Sequence, residues 1–284
     1  MFSLAGKSCV VTGASRGLGR AIALAFADQG ADVVLAARSV GDLDRVRREI
    51  EAKGRRALVQ PTDVTDLRQL QALAAAAVAR FGRLDVWVNN AGGDTSIEGG
   101  WVEWLDVTEA GWDRMLQLNL KAQVFGAQAA ARAMRDGGRG GAIIFLSSID
   151  GLYAAPGGEG IYGACKAAIN NVTQTMAVEL GQYGIRVNAI APALVETPLT
   201  APWLASEEDR RKRSAFYPLR RIGQPPDVAA AAVYFASDEA AWVSGAVLLV
   251  SGGAVMTSDP YRYLMRVNRP EPQSDPPPPP TPSV

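Results

Sequence analysis

Seven short apolar runs recur along the first 250 residues, and most are separated by longer stretches with helical patterning. The runs fall at residues 8–12, 32–37, 57–60, 85–89, 142–147, 186–190 and 246–250. They are short and almost uniformly apolar, as strands buried on both faces are. The intervening segments 19–29, 43–53, 67–80 and 161–182 are long enough for helices. Strands alternating with helices predict an α/β fold, a doubly wound parallel seven-stranded sheet with helices on both faces. No linker-like stretch interrupts residues 1–256, which are expected to form one domain. Beyond residue 257 the pattern fades, and eight of the 17 prolines lie between Pro270 and Pro282. That extension can form neither a helix nor an inner strand, and from about residue 270 it is expected to be disordered or polyproline II.

Composition removes several function classes. Lys+Arg and Asp+Glu each number 29, so there is no basic excess to hold a nucleic acid. No apolar run approaches the roughly 20 residues of a membrane-spanning helix, and residues 1–7 lack a signal-peptide pattern; a cytoplasmic protein is expected. Two cysteines, Cys9 and Cys165, make no disulfide framework and no metal spacing, and both read as small buried residues. There is no histidine, so histidine-dependent hydrolysis and His-based metal sites are excluded. Proton transfer must then use Tyr, Lys, Asp, Glu, Cys or water.

After the first run comes Thr12-Gly13-Ala14-Ser15-Arg16-Gly17-Leu18-Gly19, which opens the first helix. Glycines permit a tight turn and close approach to a pyrophosphate, and a helix N-terminus supplies free N–H groups. The spacing is G-x-x-x-G-x-G, not G-x-G-x-x-G, but its strand-turn-helix setting points to a dinucleotide. The second run ends in Arg38-Ser39, where an NAD site usually places an acid for the ribose 2′-hydroxyl. Arg38 and Arg16 are instead suited to a 2′-phosphate, so NADP(H) is favoured, with NAD(H) the alternative.

Tyr162 and Lys166 stand four apart in a helical stretch and share a face. Ser148 follows an apolar run, at the strand end where open α/β sheets bind ligands. An ammonium at ~4 Å in an effective dielectric of ~20 stabilises a phenolate by roughly 4 kcal/mol before desolvation. That would bring a phenol near neutrality, so a Tyr–Lys pair can replace histidine in acid–base work.

Taken together, the glycine turn, Asn89-Asn90-Ala91-Gly92, Ser148 and Tyr162-x-x-x-Lys166 resemble the short-chain dehydrogenase/reductase family, in the shorter branch that includes 3-oxoacyl-ACP reductase-like members. Further matches are Thr62-Asp63-Val64, Asn119, Arg186-Val187-Asn188-Ala189-Ile190-Ala191-Pro192, residues 218–225 and Ser251-Gly252-Gly253. The resemblance spans residues 4–256 and implies a single-domain Rossmann-type fold. It implies that Tyr162 exchanges a proton with the reacting oxygen and that Lys166 lowers the tyrosine pKa and holds the nicotinamide ribose. Ser148, rather than its neighbour Ser147, would bond the reacting oxygen, and Asn119 would hold a relay water. Gly13, Ser15, Arg16, Gly17, Leu18, Gly19 and Arg38 would bind the cofactor's phosphates and ribose. Asp63 and Val64 would meet the adenine, Asn90, Ala91 and Gly92 the adenosine ribose side, and Val195 and Thr197 the carboxamide. Ala193 and Ser251 depart from the family's frequent Gly and Asp.

The family builds its substrate pocket from three segments, which here carry Asp94, Trp101 and Trp104; Asp150, Leu152 and Tyr153; and Leu199, Trp203, Leu204 and Phe216. Asp94, Asp150, Tyr153 and Trp203 are the candidates for substrate contact. Trp101 and Trp104 read equally well as a helix face packed on the body. Residues 207–213 read as a solvated helix face on a lid. The resemblance implies NADP(H)-dependent hydride exchange with a small carbonyl/alcohol substrate, no metal, and a homotetramer or homodimer pairing helices 111–134 and 161–182. An NAD-linked alcohol or sugar dehydrogenase is the alternative. A dinucleotide-binding regulator without turnover is another, although Ser148, Tyr162 and Lys166 are all present.

Overall fold

Residues 1–93, 96–154 and 157–254 are described by a computed structural model. Seven strands make one sheet: β1 (Ser8–Thr12), β2 (Asp32–Ala37), β3 (Ala57–Pro61), β4 (Val86–Asn89), β5 (Gly141–Leu146), β6 (Ile185–Pro192) and β7 (Val247–Val250). Their spatial order is β3-β2-β1-β4-β5-β6-β7, and every pair is parallel. The order reverses between β1 and β4, which opens a crevice at their carboxyl ends.

Alternation along each strand divides the core in two. Cys9 and Val11 face one side with Val33, Leu35 and Val88, beneath helices α1 (Gly17–Asp28), α2 (Val40–Ala52) and α8 (Pro225–Ala236). Val10, Val34, Trp87, Ile143 and Phe145 face the other, beneath α3 (Leu67–Phe81), α5 (Ala122–Gly137) and α6 (Gly160–Leu180). Burying each such aliphatic side chain contributes about 1.5–3 kcal/mol, so both faces of the sheet drive folding.

Local chemistry sets the helix ends. Asp66 caps α3 by accepting from the Arg68 N–H, and Gly82 ends it with φ +75°. Gln224 and Asp227 form a capping box on α8 with Pro at its start. The far end of α8 is held by Arg186, which donates from Nη2 to the carbonyls of Phe235 (2.7 Å) and Ser237 (3.2 Å).

The continuous helix expected over 111–134 is broken. Helix α4 (Glu109–Leu116) passes into a π turn at Gln117–Lys121 before α5 begins. A π turn inserts one residue, which rotates the following helix face and is frequent at functional sites. Asn119 lies on that turn and is fully buried. Residues 207–213 form a short exposed helix, α7 (Glu207–Ser214), with the acids first and bases last. The extension beyond residue 256 lies outside the described residues.

Candidate active site

A cleft of about 940 Å³ runs along the carboxyl ends of the strands, from Arg38 at one end to Tyr162 and Lys166 at the other. The glycine turn forms its floor. Gly13 has φ +66°, and a Cβ there would stand 2.7 Å from Asn90 Nδ2. A Cβ on Gly19 would strike the Gly13 carbonyl and lie 2.5 Å from the same nitrogen. Asn90 is the brace behind this crowding: its Nδ2 donates to the carbonyls of Thr12 (2.8 Å) and Gly13 (3.3 Å). Thr12 Oγ1 accepts from the Asn90 and Ala91 N–H groups and donates to the Val88 carbonyl. The N-cap of α1, Arg16, makes no side-chain cap bond. The first-turn N–H groups therefore face the cleft as an anion site.

At the outer end, Ser15, Arg16, Gly17, Leu18, Arg38, Ser39, Asp63 and Val64 line the wall. Asp63 accepts at Oδ1 from Thr65 N (2.9 Å) and Oγ1 (2.7 Å), which fixes its carboxylate in place. Asp42 lines the same wall, ion-paired to Arg45. Asp42, four residues after Arg38, thus adds a carboxylate to this wall. On the opposite wall lie Asn90, Ala91, Gly92, Ala193, Val195 and Thr197. Thr200 Oγ1 orders the last two, donating to the Val195 carbonyl (2.6 Å) and accepting from Thr197 N (2.9 Å). A glycine turn that tolerates no Cβ, an uncapped helix start and two flanking arginines fit a dinucleotide. Among the described residues no cluster of His, Cys, Asp or Glu can hold a metal ion.

Strand β5 delivers Ser147 and Ser148, and α6 delivers Tyr162 and Lys166. Ser147 Oγ is buried on Asn170 Oδ1 (2.6 Å) and the Lys166 carbonyl (3.3 Å), so it joins strand to helix. Ser148 lines the cleft and donates to Asp150 Oδ2 at 2.7 Å. Lys166 Nζ donates to the Leu146 carbonyl at 2.6 Å and sits 5.3 Å from the Tyr162 ring centroid. Burial lowers the Lys166 ammonium to about 8. The expectation of a lowered tyrosine pKa is overturned here: burial pushes Tyr162 up, with the charges of Asp150 and Glu159 adding to it and Ser148 opposing. The lysine nitrogen is bonded to a backbone carbonyl, and desolvation is the largest influence on the tyrosine.

Asn119 does not line the cleft. Its Oδ1 accepts from Gly93 N (2.8 Å) and its Nδ2 donates to the Met115 carbonyl (3.2 Å), so the side chain secures the loop after β4. Cys165, pushed up to about 11 by burial, is an inert neighbour in the core.

The cleft is also lined by Trp101, Asp150, Glu159, Leu199, Trp203, Arg213 and Phe216. The Trp101 ring lies 5.0 Å from that of Tyr162, tilted by 31°, which decides for a place in the cleft. Trp104 does not line the cleft; it stands against Gly160 at the start of α6 and is 61% exposed. Trp203 accepts from Arg213 Nε at its carbonyl (2.9 Å), with the guanidinium over its ring. Tyr153 is exposed and does not line the cleft, Leu204 is buried beneath it, and Asp94 lies outside the described residues. Glu159 and Arg213 were not foreseen. Glu159 is raised by burial and by Asp150, and its position just before α6 was the available signal. Arg213 was hidden in a charge run that reads as solvated.

A family model described as "Enoyl-(Acyl carrier protein) reductase" matches residues 13–255. The chain is a short-chain dehydrogenase/reductase. Relatives of this short-chain dehydrogenase/reductase include an L-rhamnose 1-dehydrogenase (NAD(P)(+)) of Sphingomonas sp. strain SKA58. It is 41% identical over 253 residues, covering 88% of this chain and 96% of the relative. The 3-oxoacyl-[acyl-carrier-protein] reductase FabG of Thermotoga maritima is 36% identical over 255 residues, covering 89% and 99%. The crystal structure of carveol dehydrogenase from Mycobacterium avium in complex with NAD superposes with a TM-score of 0.83 at 28% identity, covering 89% of this chain and 99% of that one. A short-chain type dehydrogenase/reductase from Mycobacterium marinum gives a TM-score of 0.83 at 35% identity, covering 90% and 98%. This short-chain dehydrogenase/reductase is accordingly an NAD(P)-dependent oxidoreductase acting on CH–OH/C=O groups.

Proposed function

We propose that the protein prefers NADP(H) and exchanges a hydride with a small carbonyl/alcohol substrate, using Tyr162 as the acid/base. One observation carries the reading. A single cleft holds Arg16 and Arg38 at one end and Ser148, Tyr162 and Lys166 at the other. Bound there, the nicotinamide supplies the hydride, and the chain supplies position and proton. The α1 N-terminus with Ser15 and Gly17 would hold the pyrophosphate, Arg16 and Arg38 the 2′-phosphate, and Asp63 the adenine. Val195 and Thr197 would meet the carboxamide. Burial that keeps the Tyr162 phenol protonated makes it a proton donor to a carbonyl oxygen. The Lys166 cation beneath it stabilises the phenolate left behind. Asn119 serves this site by positioning the loop that carries Gly92 and Gly93.

For the substrate, aromatic rings beside carboxylates and an arginine favour a mid-sized molecule with both apolar and hydroxyl-bearing parts. The L-rhamnose 1-dehydrogenase relative makes a sugar a natural member of the assay panel. Homo-oligomerisation belongs to the same proposal, supported by exposed Trp112, Phe125 and Val178 on α4, α5 and α6. A cytoplasmic location completes it. The test is oxidation or reduction of NADP(H) and NAD(H) at equal concentration over L-rhamnose, small ketones, quinones and β-ketoacyl thioesters. NADP(H)-linked turnover abolished by Tyr162→Phe, with NADPH affinity retained, is expected. Undiminished turnover in that variant would refute the assignment of Tyr162.

A further inference from the structure

Ser148 has one proton to donate and two lone pairs with which to accept. Asp150 engages two of these three. Its Oδ2 takes the serine proton at 2.7 Å, and its own backbone N–H donates back to the serine oxygen at 3.2 Å. One lone pair is left, within hydrogen-bond reach of the Tyr162 hydroxyl, and Ser148 lies on the cleft wall, only 7% exposed. A lone pair can only accept. The serine is therefore turned opposite to what a carbonyl oxygen, itself only an acceptor, requires of it.

We propose that Asp150 is a positioning residue that fixes the polarity of Ser148, so that the site holds the alcohol form of its substrate more tightly than the carbonyl form. An alcohol brings a proton for the serine lone pair and can still accept from the Tyr162 hydroxyl. A carbonyl can accept from Tyr162 but meets no donor at Ser148. The inference rests on the reading of this cleft as a carbonyl/alcohol site. It concerns ground-state affinity, because the overall equilibrium of the reaction is independent of the protein. The same carboxylate contributes to the raised tyrosine, as a charge fixed beside Ser148 must.

Two unreactive rings test this on the NADP⁺-loaded protein. 1-Methylcyclohexanol carries a hydroxyl but no hydrogen on its carbinol carbon, so it cannot lose hydride. N-Methylpiperidin-2-one offers an amide carbonyl that accepts but is not reduced, and it has no N–H. Both affinities are measured by calorimetry for the unsubstituted protein, Asp150→Ala and Asp150→Asn. In Asp150→Ala the serine proton is released, and the ratio of lactam to alcohol affinity rises about tenfold, the worth of one hydrogen bond. In Asp150→Asn the amide oxygen still accepts the proton, and the ratio stays within about twofold of the unsubstituted protein. A ratio unchanged in Asp150→Ala, or raised equally in both variants, overturns the proposal. If neither ring binds while NADPH does, the carbonyl/alcohol reading falls and this inference falls with it.

Discussion

Lys166 is an ammonium group with only 3% of its surface exposed, and its one charge-bearing atom is bonded to a backbone carbonyl. Replacing it by methionine keeps the length of the chain and removes the charge. Burial lowers the folded-state pKa from 10.5 to about 8. Below the lower value both folded and unfolded chains are protonated, and folding bears the full cost of burying the charge. Between the two values the unfolded chain binds more protons, so stability rises with pH. Above the higher value neither is charged and the cost has gone. At ~1.36 kcal/mol per pH unit the whole window is worth about 3 kcal/mol, most of which falls between roughly pH 7 and pH 10. Urea unfolding of both proteins at one fixed concentration, near each of those pH values, isolates this contribution. The stability of the unsubstituted protein relative to Lys166→Met should rise by about 2–3 kcal/mol over the interval. A difference that stays flat within ~0.5 kcal/mol would mean that Lys166 ionises as in water, and the burial argument would be wrong.

Arg16→Ala and Arg38→Ala should each weaken NADPH binding by about tenfold and leave NADH within about twofold, read by fluorescence titration; equal losses for both cofactors refute the 2′-phosphate assignment. Gly19→Ala should destabilise by about 2–4 kcal/mol, because its methyl must displace the Gly13 carbonyl or the Asn90 amide; an unchanged urea midpoint would contradict that packing. Asp32 is 4% exposed, and although burial opposes ionisation, the bonds from Arg56 and the charge of Arg55 hold its carboxyl below the usual range. Its contribution is present above the unfolded value of 3.8 and lost as pH falls through the lower folded one, so Asp32→Asn should flatten the acid limb of stability and cost about 1–2 kcal/mol at neutral pH.

Strands β1 and β2 were legible to the residue, since buried parallel strands announce themselves as uninterrupted apolar runs. Strand β6 begins one residue before the expected run 186–190 and ends two after it, with Pro192 tolerated because it closes the strand. The π turn at Asn119 was not anticipated, because the phase shift of one inserted residue is hard to read in the Ala-rich segment that follows it. At the site, spacing alone placed Tyr162 and Lys166 on one helix face. Where the lysine nitrogen ends depends on the Leu146 carbonyl, twenty residues away, and no local pattern encodes it. The Ser148–Asp150 bond was within reach of sequence reasoning, because a serine before a short turn commonly caps it two residues on.

The order β3-β2-β1-β4-β5-β6-β7 also governs how the chain can assemble as it is synthesised. The first of these seven strands to be made is an inner one. Each later strand pairs with one already present: β2 with β1, β3 with β2, β4 with β1, and then β5, β6 and β7 each with its predecessor. No strand must wait for a partner that emerges after it, which offsets the slow pairing of distant segments that parallel sheets impose. The exposed flank of β1 is the exception. It stays open while residues 38–85 are made, which is the interval in which a nascent chain is most in need of shielding.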